Sequence, residues 1–183
     1  MSAQKRKSQK NSKKKKLTGW PQTRQVISRP ERLKYVRKQI QFDGCVFCSA
    51  RDFGVGLESL CLYKNDLAMV VLNKYPYNSG HLMVLPIRHC GDLNELSEAE
   101  HLAVQKTLKM SVGIIKEVYR PEGLNIGLNM GAISGAGLPD HLHWHLVPRW
   151  LGDTNFFPLI AETKIIPETV EQSFEKYIKY FQD

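Results

Sequence analysis

Short apolar runs bounded by turn residues alternate along this 183-residue chain with two stretches of helical period, and that order predicts an α+β fold. Residues 60–63 and 67–72 read as strands joined by a tight hairpin at Lys64-Asn65-Asp66. A loop rich in Asn, Pro and Gly, residues 73–80, leads to a third strand over 81–86. The period then changes. Ser97-Glu98-Ala99-Glu100 is a capping box, with Ser97 as N-cap and Glu100 at the third helical position, and it opens a long amphipathic helix ending near Arg120-Pro121. Val104, Leu108, Val112, Ile115 and Val118 form its apolar stripe, which reads as core. Residues 124–129 resume the sheet, a loop spans 131–140, and a last strand begins at His141. A helix over 167–182 closes the chain, and a short one is expected over 29–36. Hairpin-joined strands with one long helix between them predict an antiparallel β-meander with a central long helix, because parallel pairing would require a crossover at every step.

The last strand carries the chemistry. In His141-Leu142-His143-Trp144-His145-Leu146-Val147-Pro148, alternate histidines project from one face, while Leu142, Trp144 and Leu146 face the core. Three of the chain's six histidines are thereby offered to one site. Neutral imidazole is both a good nucleophile toward phosphorus and a good zinc ligand, and its ordinary pKa of about 6.5 lets it serve at neutral pH.

The net charge of +8 suggests a nucleic-acid binder until it is located. Residues 1–16 hold eight of the 26 Lys and Arg and no acid, which leaves 18 basic against 18 acidic residues in the remainder. The basic balance therefore belongs to a low-complexity tail, residues 1–18, expected to be disordered, followed by one domain over 19–183. No apolar run is long enough to span a bilayer, and no apolar segment follows the N-terminal lysines as in a secretory signal, so a soluble cytoplasmic protein is expected.

In that compartment Cys45, Cys48, Cys61 and Cys90 read as thiols or ligands and not as a disulfide frame. Cys45-Val46-Phe47-Cys48 is a C-x-x-C pair, able to bind one zinc through two thiolates or to form a redox couple. A thioredoxin-like setting would place the pair between a strand and a helix, whereas here it follows a polar stretch near the start of the domain. Zinc would need two more ligands. His89 and one triad histidine are the natural candidates, Cys90 is the alternative, and two buried reduced cysteines without metal remain the plain reading.

Taken together, H-x-H-x-H followed by two apolar residues, preceded by a glycine loop, a long helix and a Gly-His strand start, resembles the histidine-triad family of nucleotide hydrolases and transferases. The resemblance runs roughly from Cys45 to Trp150. Within the family, residues 135–145, continued by Pro148-Arg149-Trp150 and by Gly152-Asp153-Thr154-Asn155-Phe156, are most similar to the bacterial diadenosine-tetraphosphate phosphorylase branch. The resemblance implies His143 as nucleophile toward an α-phosphorus, giving a covalent AMP-histidine, with His145 as donor to the phosphoryl oxygens. It implies structural zinc on Cys45, Cys48, His89 and His141. It also places Asn73, His81, Asn129, Gly135, Gly137 and Trp150 at nucleotide-binding positions, and suggests a homodimer or higher homo-oligomer. Asn73 could bond both ribose hydroxyls, or be an ordinary turn asparagine. Where many relatives carry Gln-Ser or Gln-Thr before the triad, this chain has Gly137-Leu138. That departure puts plain hydrolysis in doubt and points to inorganic phosphate as acceptor, giving ADP and ATP, with water as the alternative. Lys74, Arg88 and Arg149 are candidate phosphate partners, each read first as a surface charge.

Two further function classes compete. In one, the triad histidines are ligands of a catalytic zinc or iron in a metallohydrolase. In the other, the chain is nucleic-acid-associated through residues 1–16 only.

Overall fold

The computed structural model describes residues 44–153 and 166–182. The basic tail, the short helix expected over 29–36 and the segment 154–156 lie outside the described residues. Helix α1 (Val46–Phe53) precedes strands β1 (Cys61–Lys64), β2 (Ala68–Leu72) and β3 (Leu82–Pro86). Helix α2 (Glu98–Tyr119), strands β4 (Gly123–Leu128) and β5 (Trp144–Arg149), and helix α3 (Val170–Phe181) follow.

The five strands form one antiparallel sheet in the order β1-β2-β3-β5-β4. The meander holds through three strands; β5 then inserts between β3 and β4, which puts the histidine-bearing chain beside the centre of the sheet and leaves β4 at its edge. At the first hairpin the Asn65 carboxamide oxygen accepts from the amides of Leu67 and Ala68 at 2.9 and 2.8 Å, an Asx turn that closes the predicted connection.

β2 and β3 are buried at every position, as strands covered on both faces must be. On one face Leu62, Val70, Leu82, Val84, Trp144 and Leu146 pack with Val104, Leu108 and Ile115 of α2 and with Phe174, Tyr177 and Phe181 of α3. On the other face a smaller cluster forms from Met69, Val71, Met83 and Leu85 beneath Phe47 and Ala50 of α1. The sequence did not announce α1, because a cysteine stands at its N-cap in place of the usual Ser, Thr, Asn or Asp. The box opening α2 is complete: the Ser97 hydroxyl accepts from the Glu100 amide and the Glu100 carboxylate accepts from the Ser97 amide. Arg88, just past β3, pairs with the same carboxylate at 2.7 Å and so ties the sheet to the helix start. At its other end α2 stops on Arg120 in the left-handed conformation, directly before Pro121. Among the described residues, no helix is long and apolar enough to cross a membrane.

Candidate functional site

The ladder of β5 begins at Trp144, so His141 and His143 lie on an extended lead-in and not, as expected, within the strand. The reason is local: Pro86 at the end of β3 has no N–H to continue the pairing. The Leu142 amide instead donates to the Cys90 carbonyl at 2.7 Å. The two-residue period nevertheless survives. Leu142, Trp144 and Leu146 sit in the larger core cluster, and the three imidazoles line the other side, with Phe47 against His141 at 5.4 Å and His143 at 5.0 Å between centroids, and His143 at 5.0 Å from His145.

Each ring is aimed by a neighbour that also selects its tautomer. His141 Nε2–H donates to the Pro86 carbonyl at 2.9 Å, which leaves the Nδ1 lone pair facing Cys45 and Cys48. His143 Nδ1–H donates to the His141 carbonyl at 2.8 Å, so the lone pair of this buried ring is on Nε2. His81 accepts at Nδ1 from the Tyr77 amide at 3.0 Å; its proton is then on Nε2, 3.0 Å from His145 Nδ1, which must accept it. His145 therefore carries its own proton on Nε2. Burial pushes His141 down to about 4, against the Pro86 carbonyl, and pushes His143 down as well, so both rings are neutral at neutral pH.

Cys45 is the N-cap of α1 and Cys48 lies in its first turn, so the helix start presents both sulfurs together. The ligand atoms of Cys45, Cys48, His89 and His141 all lie within 4.8 Å of one another. Cys45 Sγ and Cys48 Sγ are 3.4 and 3.8 Å from His141 Nδ1, and Cys48 Sγ is 3.5 Å from His89 Nδ1. A tetrahedral zinc with ordinary bond lengths needs S···N edges of about 3.5 Å, so the donor set fits that metal. Burial, with the Cys45 thiol beside it, raises Cys48, and a cation would relieve both effects. This is the single cluster of metal-ligating side chains among the described residues. That cluster takes in His141 but neither His143 nor His145, so among the described residues the triad is not gathered around one metal position.

The expected nucleotide contacts divide. His81 has no exposed surface and supports His145 from behind. Asn73 accepts from the Tyr75 amide at 2.8 Å, the turn reading, and remains half-buried. Asn129 is half-buried, its carboxamide nitrogen 3.9 Å from where a side chain at Gly135 would begin; Gly135 takes φ +96° in a stretch, residues 131–137, that is exposed but for Ala136. Gly137 is exposed and Trp150 half-buried, with its ring 6.3 Å from that of Tyr119. Of the candidate phosphate partners, Arg149 is held by Asp153 and Asn125 and Arg88 by Glu100, while Lys74 is exposed. Sequence reading missed Phe47, Asn78 and Asp153. Asn78 is buried and donates to the Pro148 carbonyl at 2.9 Å and to Asp153 at 3.0 Å, locking the loop before His81 to the end of β5. A turn asparagine gives no sign of a partner 70 residues away.

Residues 56–150 match the HIT domain family. A protein of Mycobacterium tuberculosis called AP-4-A phosphorylase is 42% identical over 116 residues, 63% of this chain and 60% of that protein. The bis(5'-adenosyl)-triphosphatase of Saccharomyces cerevisiae is 30% identical over 89 residues, 48% of this chain and 43% of its own length. This chain thus spans less than two thirds of either relative. Among solved structures, a hypothetical histidine triad nucleotide-binding protein of Sulfolobus tokodaii superposes with a TM-score of 0.61 at 26% identity, over 75% of this chain and 92% of that one.

Proposed function

Because the chain belongs to the HIT-domain family, we propose that it is a nucleotidyltransferase that cleaves diadenosine tetraphosphate or a related adenylated nucleotide, with phosphate as acceptor. The observation that carries this reading is the buried His143 ring, whose Nδ1–H is fixed on the His141 carbonyl so that Nε2 presents a lone pair. Nε2 attacks the α-phosphorus, the bond to the departing ATP oxygen breaks, and AMP remains joined to the histidine. A phosphate oxygen then attacks the same phosphorus, the P–N bond breaks, and ADP leaves. In both steps negative charge develops on the phosphoryl oxygens, and the Nε2–H of His145 is the donor suited to it. The similarity to AP-4-A phosphorylase and the Gly137-Leu138 pair before the triad favour phosphate over water.

Cys45, Cys48, His89 and His141 would hold zinc, and a closed shell of four protein ligands gives it a structural role. By binding α1 to the lead-in of β5, those ligands keep Phe47 against His143 and water away from its ring. The exposed edge strand β4, with Ile126 half-exposed, suits a second copy joining edge to edge.

The likeness to bis(5'-adenosyl)-triphosphatase supports a second reading, in which water is the acceptor and AMP the product. Diadenosine tetraphosphate incubated with and without inorganic phosphate, with ADP, ATP and AMP resolved by chromatography, separates the two. Phosphate-stimulated cleavage to ADP and ATP is expected. An unchanged rate without phosphate, with AMP formed, would give the protein to the hydrolases.

A further inference from the structure

Helix α3 lies outside the segment that matches the family, and it hydrogen-bonds to the loop before His81 through the Tyr177 hydroxyl. Tyr177 is fully buried, and its hydroxyl donates to the Gly80 carbonyl at 2.8 Å. Gly80 is held on three sides: its φ is +71°, and a Cβ there would lie 2.7 Å from Tyr119 Cε2 and 2.8 Å from the Tyr177 oxygen. The next residue is His81, which receives the Tyr77 amide at Nδ1 and gives Nε2–H to His145. α3 is itself anchored, by its Thr169–Gln172 capping box and by Glu168, which accepts from Tyr119, Ser173 and Lys176.

We propose that Tyr177 is a positioning residue: by holding the Gly80 carbonyl it fixes the His81 ring, and through it keeps His145 in the tautomer with its proton on Nε2. The C-terminal helix is then part of the site and not only part of the core. The peptide between Gly80 and His81 has its carbonyl on Tyr177 and leads straight to the His81 Cα, so rotation of that peptide swings the imidazole. Without the Tyr177 hydroxyl the buried carbonyl loses its partner, and the peptide turns to find another. His81 Nε2 then leaves His145 Nδ1, which loses the donor that holds its lone pair there. This proposal rests on His145 being the donor to phosphoryl oxygens, but its direct readout needs no substrate.

The test is Tyr177→Phe in the full chain, which keeps the ring and removes one hydroxyl. Tyr119→Phe is the control, since it keeps the ring beside Gly80 and removes a hydroxyl that bonds Glu168 and makes no hydrogen bond to residues 73–81. Nitrogen-15 NMR of the histidine side chains reads the tautomers. In the parent and in Tyr119→Phe, His145 should show a protonated Nε2 and a lone pair on Nδ1; in Tyr177→Phe its two nitrogens should move toward averaged shifts. With diadenosine tetraphosphate, kcat of Tyr177→Phe should fall roughly ten- to a hundredfold with KM within about twofold of the parent. Unchanged His145 shifts in Tyr177→Phe, or equal changes in both variants, would overturn the proposal. Altered shifts with no loss of kcat would keep the positioning role and instead count against His145 as donor.

Discussion

Gly80→Ala tests the most crowded of the described glycines. At φ +71° an alanine sits in the left-handed region, at a cost of about 1 kcal/mol. Its methyl would lie 2.7 and 2.9 Å from Tyr119 Cε2 and Cζ and 2.8 Å from the Tyr177 hydroxyl, where carbon contacts prefer about 3.5–4.0 Å. Both rings belong to packed aromatic neighbours, 5.1 Å apart at their centroids, so neither swings aside like the end of a flexible chain. Overpacking of this kind costs about 1–3 kcal/mol, and the two effects together predict a loss of about 2–4 kcal/mol. For a chain of this size that lowers Tm by roughly 4–16 °C. Urea denaturation monitored by circular dichroism measures it directly. Gly127→Ala, in β4 with nothing within 4 Å of the new methyl, should change stability by less than about 1 kcal/mol. If Gly80→Ala unfolds with the same midpoint as Gly127→Ala, the clamp around Gly80 does not exist as described.

His143→Ala should reduce turnover by roughly four orders of magnitude while retaining zinc, whereas His141→Ala should lose zinc and stability together. Zinc content measured beside activity checks both, and loss of metal from His143→Ala would restore the metallohydrolase reading. Cys48→Ser should purify without zinc and be less stable by about 4 kcal/mol when zinc in the assay exceeds the parent's Kd a thousandfold; a parent protein that is metal-free and equally stable would refute this. Arg88, with help from Ser97, holds Glu100 down to about 2 from an ordinary 4.5. Because the folded-state value is depressed, the contribution is full above pH 4.5 and disappears as pH falls toward 2. With Arg88 half-exposed the pair is screened, so parent and Glu100→Gln, which retains the capping geometry, should show a small difference at pH 7 that disappears in acid. A gap that persists below pH 2 would assign it to packing.

The parts of the fold that local pattern controls were legible. The Asn65 turn, the Ser97–Glu100 box and the stop before Pro121 each rest on residues within a few positions of one another. The two-residue alternation from His141 to Leu146 placed histidines and core residues on opposite sides even though the first half of the segment is not in the ladder. The structure also gathers Cys45, Cys48, His89 and His141, as the C-x-x-C spacing and the family resemblance suggested. What stayed hidden depends on distant pairing. Nothing near β4 shows that β5 will insert beside β3, because edge and central positions are settled by contacts across the whole sheet. Tyr177 reads as one apolar position of an amphipathic helix, and its hydrogen bond to Gly80 spans 97 residues. α1 is eight residues long with an unusual cap, too short for its period to stand out.

The groups that aim His143 and His81 are the carbonyl of His141 and the amide of Tyr77, both main-chain atoms. Replacement by alanine does not delete them. An alanine scan of this region would find the histidines and pass over what orients them, so half of the apparatus is silent to it. Chemistry on the backbone reaches them most cleanly: an ester in place of the Tyr77 amide would remove the N–H while keeping the side chain, and would take from His81 the donor that selects its tautomer.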